Sequence, residues 1–182
     1  FGEPDEALEQ ADLILKNYGQ NLSALALKAS VFIRQKRQGE ALAILENILQ
    51  KNPKFIEALS LKALIYSERQ EFYKALTLLD MALAAEPGNI DLHFFKIHLH
   101  AKAKDMTAVM IDYQGLTSLY PENQDYKITL AKLYTQLGKK QDAEELLREL
   151  IASAPDSIKP KLLLLDFLMD TASEKIEDQL YQ

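Results

Sequence analysis

Apolar residues in this chain recur at steps of three and four positions, the spacing that puts them on one face of an α-helix. These stretches come in pairs, and a short polar turn joins the two members of each pair. One pair covers roughly Ile56 to Ser67 and Tyr73 to Ala85. The pattern predicts an all-α chain built from antiparallel helix pairs.

Four of the six prolines give the helix pairs a fixed period of 34 residues: Pro53, Pro87, Pro121 and Pro155. A period of this length indicates stacked supersecondary units. Each proline is expected to end a second helix, because it lacks an amide donor and clashes with the preceding turn. With the proline near the end of every unit, the full repeats are 22–55, 56–89, 90–123 and 124–157.

Glycines mark two of the turns between paired helices. We expect Gly39 to break the chain inside the first repeat and Gly138 to do so inside the fourth, because glycine favours turns over helix interiors.

The two ends of the chain are predicted to be incomplete repeats. Residues 4–18 resemble a second helix without its first, and residues 158–182 resemble a fifth first helix followed by a capping helix over 173–181. A single repeat cannot bury its apolar face alone. We therefore expect the natural protein to extend further toward its N-terminus, with this chain as an excised piece.

Small residues mark the predicted crossing of the two helices in a repeat, because a larger side chain there would push the helix axes apart. They pair as Ala29 with Ala41, Ala63 with Ala75, and Ala131 with Ala143. Phe32, Tyr66 and Tyr134 follow three positions after the first member of each pair and are expected to fill the space between repeats.

The third repeat departs from this pattern, because Ile97 and Val109 replace the two alanines. We expect the added bulk to separate its helices. Repeat 90–123 is then either a functional centre or a relaxed, drifted repeat, and the residues alone leave both open.

These markers make the chain similar to the tetratricopeptide repeat family, whose pattern joins a small residue and an aromatic on the first helix with an alanine on the second and a closing proline. Ala63, Tyr66, Ala75 and Pro87 match it, as do Ala131, Tyr134, Ala143 and Pro155. The resemblance covers nearly the whole chain. It departs near the start of each first helix, where Leu25, Leu59, His93 and Lys127 replace the family's large aromatic. The resemblance implies a right-handed superhelical solenoid of antiparallel helix pairs that binds protein partners in a concave groove.

The composition limits the kinds of partner that we expect, but it does not decide the compartment. A net charge of -6 is the wrong balance for a nucleic-acid-binding surface, so we expect no nucleic acid partner. Apolar runs such as Leu162 to Leu165 are far below the ~20 residues of a membrane span. Zero cysteines leave both oxidising and reducing compartments open. We favour the bacterial periplasm or envelope, with a targeting segment that preceded Phe1.

Candidate catalytic chemistry is sparse. His93, His98 and His100 share one predicted helix, but their spacings of five and two differ from the four that a helical metal site uses. Gly138 and Lys139 lack the upstream glycine of a phosphate-binding loop. We expect no catalytic, cofactor or metal site, and an enzyme whose site is assembled across repeats is the third hypothesis.

The concave face offers the candidate binding site. Positions about 80 to 180 degrees from the packing face of the first helices are free to contact a partner. The candidates are Ser30, Ser60, Leu64, Asp91, Phe94, His98, Ile128, Lys132 and Leu162. Its apolar members suit an extended or helical segment with apolar side chains. The alternative is that Phe94 and Ile128 only pack against adjacent helices.

The basic clamp with which some family members hold the C-terminal carboxylate of heat-shock chaperones is missing. The corresponding places hold Ala26, Ser30, Leu61, Asp91 and Phe95. Our leading hypothesis is a protein-binding scaffold, a fragment of a larger bacterial repeat protein that assists assembly or secretion of a complex. The second is self-association through an exposed apolar face or an incomplete end, where Leu8 and Leu15 lack a covering helix.

Overall fold

A computed structural model describes the backbone of residues 4–180 and the side chains of residue 6 and residues 8–172. Every regular element within residues 4–180 is an α-helix, which confirms the predicted all-α fold. The helices are α1 Pro4–Tyr18, α2 Leu22–Arg34, α3 Gln38–Lys51, α4 Ile56–Glu68, α5 Phe72–Ala85, α6 Ile90–Lys102, α7 Met106–Leu119, α8 Gln124–Gln136, α9 Lys140–Ser153 and α10 Ile158–Leu180.

The chain divides into two compact units, residues 1–103 and residues 104–182. The boundary falls between α6 and α7, the two helices of the divergent third repeat. Ile97 on α6 and Val109 on α7 are both buried. That their bulk separates the two helices stays a prediction.

The hydrophobic core of each unit forms where helices pair. In the first unit, Ala29 and Ala41 belong to one buried cluster, and Ala63 and Ala75 belong to the next. In the second unit, Ala131 and Ala143 share a cluster with Phe167 of α10. None of these six alanines is more than 1% exposed, so the predicted small residues lie inside the core.

The end of each second helix follows from its proline. The residues that follow α3, α5, α7 and α9 leave the helical region, with ψ angles of 93°, 81°, 67° and 76°, and each directly precedes a proline: Asn52, Glu86, Tyr120 and Ala154. A residue before proline is pushed from helical toward extended angles by the proline ring. The helices therefore end where the 34-residue spacing predicts.

The turn inside each repeat depends on a left-handed residue, also at a 34-residue spacing. Lys36, Gln70, Lys104 and Gly138 have φ angles of 62°, 62°, 60° and 71°. Only Gly138 adopts this region without steric cost from a side chain. The prediction for Gly39 was wrong, because Gly39 lies in the first turn of α3 and Lys36 makes the break instead.

Asparagine side chains begin three of the first helices. Asn21, Asn89 and Asn123 each accept a hydrogen bond from the amide three residues later, at 2.9, 3.2 and 3.2 Å. Such a cap satisfies an amide that has no partner within the helix.

A ladder of ion pairs joins successive repeats in the first unit, a feature that was not predicted from the sequence. Lys28 pairs with Asp12 at 2.7 Å, Lys62 with Glu46 at 3.3 Å, and Lys96 with Asp80 at 2.7 Å. Every pair links the second helix of one repeat to the first helix of the next. The same positions one repeat later hold Leu130 and Gln114, so the ladder does not continue into the second unit.

The C-terminal helix α10 runs without a break from Ile158 to Leu180. The prediction of a separate capping helix over 173–181, of which residue 181 lies outside the described part, was therefore wrong. The helix is continuous because residues 161–180 contain neither glycine nor proline. Pro160 lies in its first turn, where proline is tolerated. None of the helices within residues 4–180 combines the length and the apolar content needed to cross a bilayer.

Two glycines provide a test of the turn geometry. We expect Gly138→Ala to destabilise the fold by about 1 kcal/mol, because a Cβ is strained at a φ of 71°. Gly115→Ala, in the exposed interior of α7, is expected to stabilise it by about 0.5–1 kcal/mol through helix propensity. Apart from the adjacent residues and the local helix backbone, no heavy atom lies within 4 Å of either added Cβ, so crowding does not confuse the comparison. Thermal melting by circular dichroism measures both, and shifts of the same sign would contradict this account.

Candidate functional site

The first three first helices, α2, α4 and α6, border an open groove of about 410 Å³ in the first unit. We call it the unit-1 groove. Its lining consists of Ser23, Ala26, Leu27, Ser30, Ile56, Glu57, Ser60, Leu61, Asn89, Asp91 and Leu92. The groove therefore lies along the face of the first helices that was predicted to contact a partner.

Small side chains leave room in the unit-1 groove, and apolar ones provide its contact surface. Ala26, Ser30 and Ser60 are among its lining residues, and the Ser30 hydroxyl donates a hydrogen bond to the carbonyl oxygen of Leu27 at 2.7 Å. That bond satisfies the hydroxyl within its own helix. Leu27 is exposed to solvent, so it offers apolar surface to a ligand.

The charged residues in this lining are both acidic. Glu57 and Asp91 occupy the second position of α4 and α6. Neither carboxylate forms an ion pair or hydrogen bond within the described part of the chain. Acidic side chains in the first turn also stabilise a helix, because they interact favourably with the positive end of its dipole. This gives both residues a structural role that is independent of any ligand.

A second hollow of about 240 Å³ lies in the second unit, between α8, α9 and α10. Its apolar wall comes from Ala131, Leu147, Leu163 and Phe167, which belong to the core cluster or pack on it. Lys132 also lines it. This hollow is largely a gap above the core, at the last helix pair of the unit.

The structure brings together three of the nine candidate residues. Ser30, Ser60 and Asp91 line the unit-1 groove, while Lys132 lines the hollow in the second unit. The remaining candidates lie outside the lining of both cavities: Leu64, Phe94, His98, Ile128 and Leu162.

Those five candidates differ in exposure. Leu64 and Phe94 are each 38% exposed and Leu162 is 55% exposed, whereas Ile128 is only 4% exposed. His98 is also exposed. The burial of Ile128 agrees with the alternative in which this residue packs against helices, and it leaves little of the side chain for a partner.

Sequence reasoning missed several residues of the groove. Ile56 and Asn89 lie just before or at the start of a first helix, outside the repeating face predicted from helical angles. Asn89 could have been found from its residue type, because asparagine is a preferred N-cap and this one caps the N-terminus of α6. Glu57, by contrast, occupies the same position of its repeat as Asp91 and lies on the face predicted from helical angles.

Other titratable groups outside the groove have structural partners. The His93 ring nitrogen Nε2 hydrogen-bonds the carbonyl of Pro87 at 2.8 Å, which ties that histidine to the preceding turn. Within the described residues, no three His, Asp or Glu side chains are grouped to hold a metal. The bidentate pair of Arg37 with Glu40, in a solvated turn, raises the pKa of Arg37 and lowers the pKa of Glu40.

Two family models match the chain. Residues 2–109 match a model described as Psidin, N-terminal TPR repeats region, and residues 112–164 match a tetratricopeptide repeat model. No curated sequence matches the chain directly.

Several solved structures share the fold at low sequence identity. A MamA fragment from Desulfovibrio magneticus RS-1 is 17% identical, with 86% of this chain and 89% of that one covered and a TM-score of 0.59. A thermophilic TPR protein of Thermus thermophilus is 18% identical, with 92% of each chain covered and a TM-score of 0.58. A structure of Naa15/Naa10 bound to HypK-THB is 21% identical, with 82% of this chain and 23% of that one covered and a TM-score of 0.70.

Ile128 and Leu162 occupy the same position of successive repeats, so they test which candidates are packing residues. We expect Ile128→Ala to lower the free energy of unfolding by about 2–4 kcal/mol, because it empties a buried site. Leu162→Ala is expected to change it by less than about 1 kcal/mol, since half of that side chain is already in water. Denaturant titration measures both, and equal losses would contradict the assignment of Ile128 to the core.

Proposed function

This chain belongs to the tetratricopeptide repeat family, and from that premise we propose that it is a scaffold that holds a segment of a partner protein in the unit-1 groove. Repeats of this family generally mediate protein–protein interactions, and the family is generally non-enzymatic. The observation that supports this use of the groove most directly is its shape: an open cavity of about 410 Å³ along three consecutive first helices.

The lining supports a partner with apolar side chains. Leu27 is exposed within the groove, and Ile56 and Leu61, both half-buried, add apolar surface to its wall. Phe94 adds exposed aromatic surface further along α6. Complete burial of a fully exposed leucine or phenylalanine contributes about 1.5–3 kcal/mol, and covering these partly exposed side chains contributes a fraction of that. An extended or helical segment with apolar residues at regular spacing would meet them in order.

The shape of the groove also supports a scaffold over an enzyme. A catalytic site works best where water is excluded and titratable groups are held in contact. The unit-1 groove is open, and its two carboxylates lack any hydrogen-bonded partner within the described chain. Such a site is suited to holding a segment and not to transforming it.

We extend the proposal to a role in the assembly or secretion of a complex in the bacterial envelope. Two of the structurally similar proteins come from the bacteria Desulfovibrio magneticus and Thermus thermophilus. Separately, the structure of Naa15/Naa10 bound to HypK-THB is a case in which a protein of this fold occurs in a multi-protein complex. The first point motivates a search among bacterial proteins, and the second motivates a search among members of multi-protein complexes.

A capture experiment with a double variant tests the groove. We expect the pair Leu27→Gln, in the groove lining, and Phe94→Gln, at the position of α6 equivalent to the groove residue Ser60, to reduce capture of a partner from source-organism lysate at least about tenfold, because both remove exposed apolar surface. Quantitative mass spectrometry of the captured proteins gives the ratio of variant to parent.

The control pair, Tyr73→Gln and Met81→Gln, makes the same kind of change on exposed residues of the second helix α5. It is expected to capture the partner as the parent does. If the control pair loses the partner and the groove pair retains it, recognition lies on the second helices and the proposal is wrong.

A second candidate, self-association, is favoured by a specific feature of α10. Ile158, Leu162, Leu165 and Met169 are 67%, 55%, 53% and 61% exposed. Their steps of four, three and four are those of a coiled-coil seam. A second copy of the helix would cover this stripe. The other surface considered for self-association, at Leu8 and Leu15, is half-buried.

Leu165→Lys tests this candidate against Leu13→Lys, a change at a leucine of nearly equal exposure on α1. If α10 mediates a dimer, sedimentation at about 100 μM protein should show a dimer for the parent and the Leu13 variant. The Leu165 variant should be monomeric, because a buried ammonium is costly. A monomeric parent would rule the candidate out.

A further inference from the structure

We infer that the unit-1 groove selects partner segments that carry a lysine or arginine beside their apolar side chains, with Glu57 and Asp91 as the residues that bind the cation. This inference rests on the proposed function and names the chemistry of the partner. Three observations support it: the placement of the two carboxylates, their lack of partners, and a comparison with the same position in the second unit.

The charge of the unit-1 groove is acidic. Glu57 on α4 and Asp91 on α6 line the same cavity, and the residues that line it include no lysine, arginine or histidine. Two carboxylates on the wall of one groove give it a negative charge. A cationic side chain that enters the groove is therefore attracted to it.

Both carboxylates are available to an external donor. Other exposed acids of the first unit are engaged by lysines, such as Glu46 by Lys62 and Asp80 by Lys96. Neither Glu57 nor Asp91 forms an ion pair or hydrogen bond within the described residues. Their capacity to accept hydrogen bonds is therefore open to a partner.

In the second unit, the same helix position does meet a cation. Asp125 is the residue one repeat after Asp91, and the Lys159 ammonium donates to its carboxylate at 3.0 Å. Lys159 itself lies 34 residues further on, at the equivalent position of α10. A carboxylate at this position thus accepts an amino group that approaches along the first-helix face.

In the first unit the chain supplies no such amino group at this position. The equivalent residues are Ser23, Glu57 and Asp91, so the cation would have to come from a partner. Apolar residues beside the carboxylates, such as Leu27 and Leu61, would cover the aliphatic stem of a lysine or arginine. The groove therefore matches a segment that combines apolar and basic side chains.

A purely structural role for Glu57 and Asp91 predicts a different result from a role in binding a cation. If Glu57 and Asp91 only complement the helix dipoles, their removal changes stability and leaves the choice of partner unaltered. Selectivity for cationic segments separates the two roles, because the dipole effect makes no reference to a ligand.

The test uses a phage-displayed library of random peptides, selected on the folded full chain. The peptides are about 12 residues long, more than the roughly 6–9 extended residues that span three helices at ~10 Å spacing. Three proteins are compared: the parent, the pair Glu57→Gln with Asp91→Asn, and Ser60→Trp, which fills the groove. A matched control, Asp142→Asn with Glu145→Gln, removes two acids of α9, one of them in a first turn. Circular dichroism verifies that each variant is folded, and Ser23→Trp replaces Ser60→Trp if the latter is not.

We expect peptides selected by the parent and by the α9 control to contain lysine and arginine at least about twice as often as the input library. The pair at Glu57 and Asp91 should still select apolar residues but lose this excess. A synthetic peptide chosen by the parent should bind that pair about 3- to 20-fold more weakly, since each exposed ion pair accounts for roughly 2- to 5-fold. The difference should shrink as salt screens the charges.

Selection of lysine and arginine at the input frequency by the parent would overturn the inference while leaving the groove as a binding site. Equal excess in the parent and the Glu57 and Asp91 pair would do the same. If the parent selects no peptides, or if both groove-filling variants select the parent's peptides unchanged, the proposed function itself fails and the inference fails with it.

Discussion

The close packing of two helices across facing alanines is the constraint on which the rest of this structure depends. A helix pair buries the alanine side of its first helix against its own second helix, as with Ala63 and Ala75 in one core cluster. Side chains such as Leu59 and Leu92 then join neighbouring repeats in that same cluster. These contacts cover only part of the surface of the first helix, so its opposite face remains free. The unit-1 groove forms on that face without any loop or insertion.

The local signals that end each helix recur at the period of the alanines, so they keep that packing in register. Proline pushes the residue after every second helix out of the helical region, and a left-handed residue turns the chain between the two helices of a repeat. Three of the four left-handed positions hold a lysine or glutamine, which do not favour that region. The turn is therefore imposed by the helices packed on either side of it, and the sequence of the turn itself only tolerates it.

The dependence on packing explains which features could be predicted from the sequence. The all-α fold, the helix ends at Asn52 and its equivalents, and the buried alanines follow from periodicity and from residue chemistry within one repeat. Helical angles also placed Ser30, Ser60 and Asp91 on the face that forms the groove. They could not reveal that Ile128 is buried, because burial depends on how neighbouring helices close over a position. The left-handed turn at Lys36 and the ion-pair ladder were missed for the same reason, since each depends on contacts beyond the local pattern.

The repeat separates the residues that fold the chain from those that contact a partner, and this separation lets the groove change its chemistry at little cost to stability. Successive repeats place Ser23, Glu57, Asp91, Asp125 and Lys159 at one position of the first helix. None of these five belongs to a buried core cluster of the described chain. Neutral, acidic and basic residues therefore all occur at this position, while the core alanines of the first, second and fourth repeats stay constant. The third repeat is different, because Ile97 and Val109 change the packing positions themselves. A substitution at a packing position alters how helices meet, whereas one at a groove position alters only what the groove holds.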